Sequence, residues 1–119
     1  MSDVLEMRLS GYLTRRALAV AFEPLTEQLR TAESRPGLLV DCREMTGYEA
    51  DARALFVAWF RAHQGEIQRT AIITENTLWH MVVSAMSFAS GHEMRSFAEP
   101  ASGAEWLTGT PSDGARSKG

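Results

Sequence analysis

Four side chains able to move a proton or hold a partner's charge, Asp41, Thr46, Glu49 and Asp51, fall in one short stretch, DCREMTGYEADARALF, that begins in the apolar run GLLVDC. Strand-like text becomes helix-like within it, and in layered α/β domains that junction is where ligands, phosphates and partner loops meet the scaffold. The spacing Thr46-x-x-Glu49 is that of a capping box, in which the two side chains satisfy backbone donors at the start of a helix. The charges of Glu49 and Asp51 suit the positive end of the helix dipole, worth about 0.3–1 kcal/mol each. Two readings of Asp51 stand side by side: a helix-start residue only, or a contact for a protein partner. Gly47 is expected to allow a backbone conformation or a close approach that a side chain would forbid. Tyr48, aromatic and beside the cap, is either a lid over the core or an exposed anchor for another protein.

Other chemistry finds little support. Asp41 stands where parallel strands present ligands at their carboxyl ends, and equally where a carboxylate ties down a neighbouring loop. His63, His80 and His92 fall on three different elements without ligand spacing, so structural roles are expected for them. Cys42 lacks any nucleophile signature. The chain carries no Gly-rich phosphate loop, metal-ligand cluster or pair of carboxylates at acid/base spacing, and so indicates no cofactor, no metal and no enzyme.

The bulk numbers agree with a binding module. With 119 residues, 45% of them apolar, the chain suffices for one core, expected over 1–109 as a single domain. A net charge of −3 and a pI near 5.6 give no field that would draw in nucleic acid or an anionic membrane. A single cysteine leaves no internal disulfide, and a reduced, cytoplasmic setting is expected. The opening MSDVLEMRLSG is not a signal peptide in pattern, and no apolar run is long enough for a bilayer, so stable membrane insertion is not expected.

The elements follow from periodicity. Leu5, Met7 and Leu9 alternate with polar neighbours as in a strand with one wet face, which Gly11 is expected to end. From Thr14 to about Arg30, Leu18, Ala21, Phe22, Leu25 and Leu29 recur at helical spacing, with Pro24 predicting a kink or a division into two helices. LLVDC and QRTAIITE read as strands covered on both faces. ADARALFVAWFRAH is a helix with a wide apolar arc. Asn76 or Thr77 is expected to cap a helix reaching about Ala89, with Leu78, Val82, Ala85, Met86 and Ala89 as its stripe. EMRSFAE reads as a fourth strand, Pro100 opens a short last helix, and the polar stretch at 110–119 is expected to be disordered. The order β-α-β-α-β-α-β-α predicts a mainly parallel α/β sheet. Right-handed crossovers between neighbouring strands place the connecting helices on one face, so the other face requires a folded-back helix or a protein partner.

VLEMRLSGYLT, LLVDCREMTGYEAD, IQRTAIITEN before a Trp-bearing helix, and FAEPASGAEWL, in that order and spacing, resemble the STAS domains of anti-sigma-factor antagonists. They resemble more closely the SpoIIAA-like branch, which shares a fold class with Sec14-type lipid-binding domains. The resemblance spans Val4 to Leu107 and implies a four-turn β-α superhelix and a regulatory role in bacterial signalling. In the antagonists an Asp-Ser-Ser-Gly motif follows this strand, and a partner kinase phosphorylates its second serine. An ungapped count from Asp41 places Glu49, Ala50, Asp51 and Ala52 there, with Asp51 at the phosphorylated position. The resemblance therefore implies a fixed negative charge in place of a serine switch. Gly47-Tyr48 matches the Gly-aromatic turn of the closer branch.

Phe56, Trp59 and Phe60, with Trp79, Met81 and Val83, offer more apolar surface than one stripe per helix buries. Central burial, a homodimer surface and an apolar pocket with Met81 and Met86 as an adaptable wall all account for it. The first functional reading is a non-catalytic regulatory module that docks a protein through Thr46, Gly47, Tyr48, Glu49 and Asp51 and the adjoining helix turn. The alternative is a carrier in which Phe56, Trp59, Trp79 and Met86 wall a site for a lipid or other small apolar molecule. A homodimer is the third.

Overall fold

The computed structural model describes residues 4–109, so the tail expected to be disordered lies outside the described residues. Strands β1 (Val4–Leu13), β2 (Gly37–Tyr48), β3 (Thr70–Ile73) and β4 (Met94–Phe97) alternate with helices α1 (Arg15–Thr31), α2 (Ala50–Ala62), α3 (Thr77–Ser90) and α4 (Pro100–Thr108). All pairings are parallel, and the strands lie in sequence order in one sheet. Successive residues of a strand point to opposite faces, and here both faces are apolar. Leu38 and Val40 of β2 and Ile72 of β3 join the larger core with α1, α2 and α3. Leu39, Ala71 and Ile73 join Leu107 of α4 in a second core on the opposite face. The face left open by the crossovers is thus covered by a helix of the same chain. Gly103 makes this approach close: a methyl group there would stand 2.8 Å from Ile73 Cδ1 and 3.2 Å from Ala71 Cβ.

The sheet is uneven in length, and this shapes the molecule's functional end. β3 pairs with β2 only from Leu38 to Asp41, whereas β1 pairs with β2 from Val4–Gly37 to Leu13–Tyr48. A two-stranded ribbon, Cys42 to Tyr48 with its β1 partners, therefore overhangs the carboxyl end of the sheet. Gly11 does not end β1, as its sequence suggested. It takes φ +69 within the strand, beside a register shift between Gly11 and Tyr12, and pairing resumes beyond it. Glycine in a strand permits such an irregularity at no steric cost, and the local twist increases there.

α1 is one helix of 17 residues, undivided at Pro24, because burial of Leu18, Phe22, Leu25 and Leu29 along one face outweighs the lost hydrogen bond. Thr14 caps it, its hydroxyl accepting from the Ala17 N–H at 3.1 Å. About three turns on, the Thr26 hydroxyl donates to the Phe22 carbonyl (2.9 Å) and accepts from Trp59 Nε1 (3.3 Å), tying α1 to α2. The α3 stripe is rotated from its expected position. Val83 is buried and Trp79, Val82 and Met86 are half-buried, while Leu78, Ala85 and Ala89 are exposed. Asn76 caps this helix, accepting from Leu78 N at 2.9 Å, and Gly91 closes it in the left-handed conformation.

His92 is buried under the α2–α3 junction. Its Nε2 lies 2.8 Å from the Thr70 hydroxyl, its N–H donates to Ser90 Oγ, and its ring stacks on Phe60 at 5.1 Å. Burial, the main cause, with Arg35 adding to it and Glu93 opposing it, holds the imidazole below its ordinary value. The folded state then binds its proton less readily than the unfolded chain. The His92 contribution to stability is full above the ordinary value of about 6.5 and is lost as pH falls below it toward the lowered value. Urea midpoints at pH 7 and pH 5 check this: the wild type should lose stability over the interval, and His92→Gln should lose less. Equal losses in the two proteins would show that another group sets the slope.

Candidate functional site

The ribbon overhang turns the expected helix cap into a strut. Thr46 to Tyr48 belong to β2, and α2 begins only at Ala50, so the Thr46–Glu49 capping box does not form. Thr46 is exposed and lies within β2, at the register shift, where it has no β1 partner of its own. Glu49 does stand at the N-cap of α2, but its side chain serves the neighbouring helix: Oε1 accepts from Arg15 N at 2.9 Å. The Glu49 N–H in turn donates to the Leu13 carbonyl at 2.9 Å. One carboxylate therefore satisfies an orphan donor at the positive end of α1 while its backbone starts α2. Asp51 is exposed in the first turn of α2, and Ala52 beside it is fully buried. Gly47 permits the close approach expected of it, since a side chain there would meet the Tyr12 ring at 3.2 Å.

Beneath the overhang lies an apolar cavity of about 60 Å³ that opens to solvent. β1 contributes Leu9 and Leu13, β2 contributes Cys42, Met45 and Tyr48, and α2 contributes Ala52 and Phe56, with Arg53 at the rim. Ile72 and Thr74 form the floor at the end of β3, and α3 closes the site with Trp79, Val82, Val83 and Met86. Tyr48 meets Trp79 edge-on, with ring centroids 5.6 Å apart and planes at 64°. Both rings are half-buried. Of the lid and the anchor that Tyr48's position suggested, its place is that of a wall at the cavity mouth.

The expected pocket residues divide. Phe56, Trp79 and Met86 line this cavity, but Trp59 and Phe60 do not. Trp59 stacks on Phe22 at 4.2 Å and on His63 at 4.0 Å, and Phe60, 1% exposed, packs against Phe56, Trp59 and His92. Phe60 belongs to the α1–α2 core, Trp59 packs half-buried against it, and neither walls the site. Met81 points outward, 73% exposed, and is not a pocket wall. The α2 arc is wide because it faces α1, the sheet and α3 at once, not because it awaits a ligand. Leu13, Cys42, Met45, Thr74 and Ala52 are wall residues that periodicity did not single out. The alternation Val40, Cys42 along β2 was their nearest signal, but it needs the overhang to acquire meaning.

Reactive groups nearby are occupied. Asp41 holds Arg43 in a two-pronged pair (Nε–Oδ1 3.0 Å, Nη2–Oδ2 2.8 Å) and accepts from Arg43 N, with Arg8 Nε at 3.9 Å. The Arg43 hydrogen bond holds its carboxyl below the ordinary carboxylate range. Asp41 thus ties down the ribbon and has its lone pairs engaged. Burial, with the nearby Asp41 charge, pushes the Cys42 thiol up to about 12, so the cavity wall carries a neutral thiol and no thiolate nucleophile. His63 approaches the Trp59 carbonyl at 2.7 Å, His80 pairs with Ser96, and His92 is engaged as described. Among the described residues no group of three or more His, Cys, Asp or Glu stands together to hold a metal ion, and no helix is long and apolar enough to cross a membrane.

A four-stranded all-parallel sheet in sequence order, crossed by helices and closed on its second face by a terminal helix, is the SpoIIAA-like form of the α/β class. The SpoIIAA-like family matches residues 4–108, and the chain belongs to it. Its fold is similar to that of an uncharacterized DUF3478-family protein with a SpoIIAA-like fold from Shewanella loihica PV-4, which is 20% identical, with a TM-score of 0.71. That likeness covers 86% of this chain and 82% of the other, and at such identity it is a likeness of fold. Among proteins with curated functions none matches the chain.

Proposed function

We propose that the chain is a non-catalytic, regulatory binding module whose cavity receives an apolar anchor side chain of a partner protein. Tyr48 and Trp79 grip the anchor, and Thr46, Gly47, Glu49 and Asp51 border it. The observation that carries the reading is the size of the cavity against its lining. Its walls are apolar, with one charged residue, Arg53, at the rim, and its volume is about 60 Å³. Sites that enclose a drug-sized ligand measure about 300–1,000 Å³. The cavity therefore takes the tip of a leucine-sized group and not a lipid chain. Burying a few carbons in a desolvated slot beside aromatic walls is how a protein interface concentrates its energy. The exposed Arg53 puts a charge at the mouth, which suits orientation of a peptide more than extraction of a lipid.

The carrier reading keeps one specific support. α3, the wall that would have to move to admit a longer ligand, buries only Val83 and Ser90 fully. Its carboxyl end is held by Arg61 of α2 and Gln64 of the turn that follows, which donate to the Ala89 and Ser90 carbonyls, while its amino end meets the ribbon through Trp79 and Tyr48.

A chain-length series separates the two. Alcohols from four to ten carbons are titrated into the protein while the Trp79 indole N–H is followed by NMR. An anchor slot should reach its full affinity with the shortest members and gain little afterwards. A carrier whose α3 swings aside should gain about 0.8 kcal/mol, roughly fourfold, for each added methylene. Continued gain through ten carbons would replace the docking reading with the carrier, and no response at any length would remove the cavity from both.

A further inference from the structure

α3 has a second apolar face that neither the cavity nor the core uses. Leu78 and Met81 are each 73% exposed and Phe88 is 92% exposed, and Ala85 between them is exposed as well. At 100° per residue these four lie together on the side of the helix opposite Val83, which points into the core. Their spacing of three, four and three is that of the a and d positions of a helix-to-helix seam. From Thr77 to Ser90 the helix contains no Asp, Glu, Lys or Arg.

We propose that a second copy of the chain covers this face, its α3 running antiparallel to the first about a two-fold axis beside Val83. The four residues are placed symmetrically about the helix midpoint, so such an axis sets Met81 opposite Ala85 of the other copy and Leu78 opposite Phe88. The long thioether meets the smallest side chain and fills the space it leaves, and the two largest close the ends of the seam. An isologous contact requires this self-complementarity, and a contact with an unrelated protein does not. The absence of charge removes the like-charge repulsion that two identical helices would otherwise suffer.

Other occupants fit less well. The segment at 110–119, TPSDGARSKG, has no large apolar residue with which to cover the face. Helices that lie on lipid surfaces carry Lys and Arg on their polar side, and α3 has neither, in a chain of net charge −3. The seam has four side chains over about 15 Å of helix, against the roughly 20–30 residues a side of a standard stable interface. The pairing is accordingly weak and reversible. Of the α3 residues that line the cavity, Trp79, Val83 and Met86 turn away from the seam and Val82 lies on its flank, so the pairing is argued independently of the anchor reading.

Sedimentation of the full chain from micromolar to near-millimolar concentration tests the proposal. The wild-type mass should rise toward that of a dimer, and Met81→Glu, which sets two carboxylates in the middle of the seam, should weaken association at least tenfold with an unchanged circular dichroism spectrum. Orientation is read by oxidation. An equimolar mixture of Leu78→Cys and Phe88→Cys proteins should form the mixed disulfide in preference to either homodimer, and the buried native Cys42 does not compete. A wild type that stays monomeric throughout, a dimer that Met81→Glu leaves intact, or homodisulfides formed as readily as the mixed one would each overturn the proposal. Monomers captured by lipid vesicles would overturn it too and assign the face to lipid.

Discussion

Replacing Phe60 with alanine lowers the unfolding free energy by about 3–5 kcal/mol, the range for a fully buried aromatic side chain whose neighbours cannot collapse into the space. Phe60 is 1% exposed and touches Phe56 at 4.8 Å, Trp59 at 5.0 Å and His92 at 5.1 Å between ring centroids. These rings are themselves fixed, Trp59 by Phe22 and the Thr26 hydroxyl, His92 by Thr70, so the cavity left behind stays open. Domains of this size have a total stability of about 5–15 kcal/mol, and the loss corresponds to a fall in Tm on the order of 10–20 °C. The control is the same substitution at Phe88, 92% exposed, which should stay within about 0.5 kcal/mol in dilute solution. Thermal and urea unfolding of the two variants measure the contrast. If Phe60→Ala were as mild as Phe88→Ala, the aromatic packing between α1, α2 and His92 described above would be wrong.

Ala52→Leu abolishes binding of short apolar probes, whereas Met86→Ala preserves it and extends it to bulkier ones. Ala52 is fully buried in the first turn of α2, and its methyl group forms part of the cavity wall. An isobutyl group there enters the free volume of about 60 Å³ and leaves no room for an anchor. The fall in probe affinity should exceed tenfold, at a change in stability no greater than the roughly 1–3 kcal/mol of overpacking. Met86 lies across the cavity on α3, where truncation enlarges the site. Its stability should fall by about 2–5 kcal/mol at full burial and by less here, where the side chain is half-exposed. Titration followed at the Trp79 indole reads both variants. A purely structural role for this cluster predicts that the two behave alike, each changing stability and neither changing affinity in its own direction. Opposite responses identify the cavity as the binding site.

Periodicity and composition sufficed for the order of elements and for which strands are buried on both sides. LLVDC and AII are too short and too continuously apolar for any other place in a parallel sheet, and the helical spacing of Leu18, Phe22, Leu25 and Leu29 specifies the buried face of α1 without reference to anything distant. The need for a cover on the second face was likewise legible, because crossover handedness is a local steric rule. The site was legible only in part. Tyr48, Phe56, Trp79 and Met86 were marked by their chemistry, but Trp59 and Phe60 share that chemistry and went to the core. Which way an aromatic on a wide apolar arc points depends on where α1 and α3 lie, and neighbours in sequence do not specify that. The Thr46–Glu49 spacing is a valid capping signal, yet β2 runs on through Thr46 to Tyr48, and the Glu49 carboxylate goes to α1. The outer seam of α3 also waited on the fold, since a helix apolar on all sides shows no direction until packing buries one of them. The sequence by itself therefore determined the α/β class and the element order. Tertiary structure alone decided the overhang, the cavity and the exposed face, because each depends on pairing and packing between segments far apart in the chain.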